Sequence, residues 1–209
     1  MPFSKEFKEA LSELPSKEKD KLLLRLLKKD LKLADRLFFE LVDNRTVDER
    51  RAIMEQRVLE QTAYFTSRYY SPGYLMMDLR YLSGEITEHV TITKDKFGEV
   101  TLNLTMLTTV LDKTNAKIAG AGLQKSQKFC IYVIARTFKL LLLIAKMHED
   151  YQLDFKPEIE QLGRLIGQND LLMRMAIHHG LDVNWLTQFN IPKDIVEIHK
   201  DLRSRGYLK

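Results

Sequence analysis

Residues 123–148 read LQKSQKFCIYVIARTFKLLLLIAKMH, a stretch without proline or glycine. At about 100° of turn per residue, Lys125, Lys128, Tyr132, Arg136, Lys139 and Lys146 gather in a strip roughly 80° wide. The rest of the circumference is mostly apolar, with Phe129, Cys130, Ile131, Val133, Ile134 and Phe138 followed by leucines. That pattern predicts a central helix, wrapped by neighbours on most sides and wet along one basic edge. Its longest purely apolar run, Leu140 to Ala145, is too short to span a bilayer.

The helical reading extends outward in both directions. Only nine glycines and five prolines punctuate 209 residues, and they fall between segments of helical periodicity. Phe7, Leu11 and Leu14 form a stripe that Pro15 ends, and Ser16 is a candidate cap for a leucine-rich helix beginning near Lys17. Asp30 either caps a second helix or lies inside one continuous helix. Thr46-Val-Asp-Glu49 has the form of a capping box, so a long helix is expected from about Val47 to Tyr70. Ser71-Pro72-Gly73 then breaks the chain before another helix, from about Tyr74 to Leu82. Pro157 suits a first helical turn, Gly180 suits the position after a helix end, and Pro192 opens a last helix to about Ser204.

Residues 86–104 admit two readings. Val90 and Ile92 alternate with threonine before Lys94-Asp95-Lys96-Phe97-Gly98, as a β-hairpin near 89–104 would. Phe97, Val100, Leu104, Leu107 and Leu111 instead form a stripe at helical spacing, and the helix is the preferred of the two. The expected fold is predominantly all-α: one compact unit over residues 1–209, a multi-helix bundle or a stack of antiparallel helical hairpins, with about eight to eleven helices.

Composition excludes disordered, collagenous and disulfide-built chains, since apolar residues make up 44% and charged residues 30% with a single cysteine. The lone Cys130 fits a reducing cytosol, and the charged N-terminal stretch lacks the apolar region of a signal peptide. The formal charge of +4 is unevenly spread: residues 113–147 hold seven basic and no acidic side chains, while the rest of the chain is net acidic. A buried helix needs a wet face, and Lys and Arg supply one by snorkelling. An ordinary solvent face mixes signs, however, and this strip does not.

The strip therefore marks an expected anion track, in which Lys125, Lys128, Arg136, Lys139 and Lys146 make charge contacts and Tyr132 stacks or hydrogen-bonds. Gly120-Ala-Gly122 before Lys125-Ser126 lacks the full spacing of a phosphate loop. The five histidines, His89, His148, His178, His179 and His199, show no zinc or di-iron spacing, and no nucleophile motif occurs. No catalytic residue, metal or cofactor is proposed on these grounds. The succession of amphipathic helices resembles helical-hairpin repeat proteins of the HEAT or armadillo kind in architecture alone, through no motif, so no residue role carries over. The expectation is a cytoplasmic binding or scaffold protein contacting nucleic acid or an acidic protein surface, with self-association open. The alternative is an enzyme or small-ligand binder with a pocket between helices.

Overall fold

The computed structural model describes residues 3–209, which hold twelve helices and no strand. Contacts divide the chain into a first unit ending at Arg45 and a second, Thr46–Lys209. The first unit holds α1 (Lys5–Glu13), α2 (Ser16–Leu27) and α3 (Leu31–Leu41). Asp30 settles the break between the last two: its carboxylate accepts the Leu33 N–H at 3.1 Å and starts α3 as a separate helix. No described residue of this unit is buried as a whole, although the Asp43 side chain, paired with Arg45, is only 5% exposed.

The second unit begins with α4 (Val47–Ser67), α5 (Pro72–Thr93), α6 (Lys96–Gly120) and α7 (Leu123–Ile144). It continues with α8 (Glu149–Leu153), α9 (Lys156–Gly167), α10 (Asp170–His178), α11 (Asn184–Thr187) and α12 (Ile195–Ser204). The expected capping box is present: the Glu49 N–H donates to the Thr46 hydroxyl at 3.2 Å, and the Glu49 carboxylate accepts the Thr46 N–H at 2.7 Å. The short α8 and α11 take the count past the range expected from periodicity, because helices of five and four residues leave no such signal.

The hairpin near 89–104 does not form. Val90 and Ile92 lie in α5, and Val100, Leu102 and Leu104 lie in α6. The intervening Lys94-Asp95 is a tight helix–helix junction, with Lys94 left-handed at φ 60° and Asp95 capping α6. The threonines that suggested strands are satisfied within the helices. Thr87, Thr91, Thr93, Thr101 and Thr108 each donate a hydroxyl hydrogen bond to the carbonyl four residues earlier. Burial of Val90, Val100, Leu104, Leu107 and Leu111 on the core side then outweighs the weak helix propensity of threonine.

The core is built around α6 and α7. These run antiparallel, since Glu99 meets Lys139 at one end and Ile118 meets Ser126 at the other. Helix α6 packs against α4, α5 and α9, and α7 packs against α5, α10 and α12. Phe129, Cys130, Val133, Ile134, Phe138 and Leu141 of α7 are fully buried, as the periodicity of this stretch requires. Gly163 permits a close crossing: a β-carbon there would stand 2.8 Å from Leu186 Cβ, so α9 and α11 meet this closely only because the position has none. Among the described residues, no helix is long and apolar enough to cross a membrane.

Candidate anion-binding cleft

Helices α5 and α7 and the C-terminal segment after α12 frame an open cleft of about 760 Å³. Five cations line it: Arg80 from α5, Lys128 and Arg136 from α7, Arg203 from α12, and Lys209. No acidic side chain lines it, and none of the five forms an ion pair with an acidic side chain among the described residues. Met76, Ile131, Ala135 and Leu208 supply the apolar walls.

Tyr132 joins the two helices. Its hydroxyl donates to the Leu79 carbonyl at 3.2 Å, and the Arg136 guanidinium carbon stands 5.4 Å from its ring centroid. That distance is a cation–π contact. Burial raises the Tyr132 phenol above its ordinary pKa, while the Arg136 charge pulls the other way. The ring therefore stays neutral and holds Arg136 over the cleft wall.

The expected strip on α7 divides three ways. Lys128, Tyr132 and Arg136 meet in the cleft. Lys139 instead reaches Glu99 of α6, with Nζ 2.7 Å from Oε1, so its charge is compensated. Periodicity within one helix cannot register that pairing, because the partner comes from the neighbouring antiparallel helix. Lys125 and Lys146 are exposed near the two ends, and neither lines the cleft. Helix α7 ends at Ile144, so Lys146 lies in the following turn.

Arg80, Arg203 and Lys209 were not among the residues expected from sequence. Arg80 sits in a net acidic segment, and the basic stretch that holds Arg203 and Lys209 closes a net acidic region, so only folding brings them beside Lys128 and Arg136.

The C-terminal rim is held by a clasp. Leu208 is buried and left-handed at φ 62°. Its N–H donates to His179 Nδ1 at 3.2 Å, and its carbonyl accepts from Arg203 at 2.6 Å. His178, His179 and Tyr207 pack ring against ring around this bond. Burial lowers the His179 pKa, with the His178 charge adding to the effect, so the imidazole stays neutral and Nδ1 stays an acceptor. A histidine whose folded pKa is lowered contributes stability that is present above its unfolded pKa, about 6.5. That stability is lost as pH falls toward the folded value. Stability of the second unit should therefore drop between neutral and mildly acidic pH. His179→Gln should flatten that part of the curve in urea unfolding followed against pH. An unchanged profile would mean that the clasp does not couple to His179 ionisation.

The other sequence features resolve as structure. The Ser126 hydroxyl donates to the Ile118 carbonyl at 3.0 Å and is buried, so Gly122-Leu-Gln-Lys-Ser126 closes a helix junction. Burial pushes the Cys130 thiol up to about 12, which leaves it a packing residue without thiolate character. Among the described residues, no three His, Cys, Asp or Glu side chains gather as metal ligands.

No family model, curated protein or solved structure matches the chain.

Proposed function

We propose that this is a non-catalytic binding protein that receives an anionic partner in the cleft between α5, α7 and the C-terminal segment. The observation that carries this reading is the lining: Arg80, Lys128, Arg136, Arg203 and Lys209 around one concavity, with no acidic side chain among them. Crowding like charges in this way costs stability, and an anion arriving in the cleft relieves the repulsion. Tyr132 and the apolar walls back the charges on one side. The lone buried Cys130 suits a reducing compartment, and cytoplasmic placement is part of this reading.

A second reading is a site for a small anionic ligand, favoured by one observation: about 760 Å³ falls within the range of ligand pockets.

The test is binding of the full chain to two unlike polyanions, polyaspartate and heparin, as salt is raised. Affinity should fall steeply between about 50 and 200 mM salt. Reversing two central cations, K128E with R136E, should weaken both polyanions about 100-fold or more at the low end. Absence of binding at low salt, or affinity untouched by the double reversal, overturns the proposal. Saturation by one small dianion, with polyanions unable to compete, selects the second reading.

A further inference from the structure

We propose that the anion taken by this cleft is a single strand of nucleic acid, its phosphates held by the five cations and its bases stacked on tyrosines of α5. The proposal rests on the reading of the cleft given above. What extends that reading is the surface beside it. Tyr74 and Tyr81 are 61% and 71% exposed, and Met77 between them is also exposed. Tyr70 stands edge-on to Tyr74, with centroids 5.2 Å apart, and steadies that ring while remaining solvent-facing itself. Arg80 lines both the cleft and an adjoining hollow formed with Met77 and Tyr81, so the charged cleft adjoins the Tyr81 ring, and Tyr74 lies two turns back along α5.

Helix geometry aligns the rings. Seven residues turn an α-helix through almost two full turns, so Tyr74 and Tyr81 point to nearly the same side, about 10 Å apart along α5. Arg80 stands about 100° round α5 from Tyr81 and leads from the rings to the cations that α7 and the C-terminal segment bring to the cleft. An acidic peptide would use the cations and leave the ring faces wet. An unpaired nucleotide strand uses both, because a backbone of phosphates and a row of bases run side by side. A duplex presents phosphates but hides its base faces in the stack, so the tyrosines would gain nothing from it.

The test uses the full chain with three probes at about 50 mM salt: a fluorescent uridine or thymidine oligomer of about twelve nucleotides, a duplex of equal length, and polyaspartate. The single strand should bind about tenfold or more tightly than the duplex. Y74A with Y81A should weaken the single strand about tenfold and leave polyaspartate unchanged, while Y74F with Y81F should keep affinity because stacking needs the ring and not the hydroxyl. K128E with R136E should weaken both polyanions. The residues replaced on α5 are exposed, and retention of helical circular dichroism verifies that the variants fold.

Equal affinity for strand and duplex overturns this inference. So does an oligonucleotide affinity that ignores the alanine pair, or polyaspartate binding more tightly than the strand; in that last case the anionic-partner reading stands with an acidic protein surface as its object. Failure of all three probes removes both readings together.

Discussion

Asp95→Ala is expected to lower the stability of the second unit by about 3 kcal/mol, the lower end of the cost of removing one partner from a buried pair, because Arg51 is partly exposed and keeps Asp48 as a counter-charge. The Asp95 side chain is only 3% exposed and accepts two hydrogen bonds from Arg51, Nε to Oδ2 at 2.6 Å and Nη2 to Oδ1 at 2.8 Å. It also caps α6 by accepting the Gly98 N–H at 2.8 Å. One carboxylate thus ties α4 to the start of α6 and satisfies an orphan donor there. Arg51 lies against the Phe97 ring, 5.0 Å from its centroid, and loses its principal counter-charge when Asp95 goes. Asp95→Asn should cost less, since an amide oxygen can still cap α6. Urea unfolding of both variants, with Arg51→Ala and the double mutant, gives the coupling energy of the pair. A loss below about 1 kcal/mol for Asp95→Ala would show that the pair behaves as a surface contact.

Phe138→Ala carries the second large effect, about 3–5 kcal/mol, through lost burial and the cavity left behind. Its ring is fully buried on α7, with centroids 6.4 Å from Trp185 and 5.7 Å from His199. It therefore joins the central helix to α11 and α12. Since α12 delivers Arg203 to the cleft, the same substitution should weaken polyanion binding as well as stability. Denaturant unfolding measures the first effect. Fluorescence of Trp185, the only tryptophan, reports the loosened contact directly. Phe138→Leu should recover most of both, because it refills much of the volume. Full affinity in a destabilised Phe138→Ala protein would show that α12 stays in place without this ring.

How far sequence reaches is visible in these same elements. The capping box at Thr46 and the end at Gly180 are local chemistry that the chain obeys, whereas at Ser71-Pro72-Gly73 only Ser71 stands outside, since Pro72 and Gly73 open α5, which runs on past Leu82 to Thr93. The submerged helix of residues 123–144 was legible because its apolar arc is wide and uninterrupted. The threonine-rich region was ambiguous because alternation and helical periodicity overlap there, and the contest is decided by burial that no short window contains. The cleft was legible only by the part that α7 contributes. Lys139 has the same helical phase as its neighbours, yet Glu99 claims it, and Arg80 and Arg203 arrive from segments whose own charge balance points nowhere.

The first unit has an energetic consequence of a different kind. No residue of α1 to α3 is buried, and each of these helices is supported by its own hydrogen bonds and by caps such as Ser4 and Asp30. Heat-capacity change on melting scales with apolar surface newly wetted, and little here is dry to begin with. Calorimetric cooperativity of the chain thus belongs almost wholly to residues 46–209. The leucines of α2 and α3 melt as a helix–coil equilibrium does, gradually with temperature and without a sharp transition of their own.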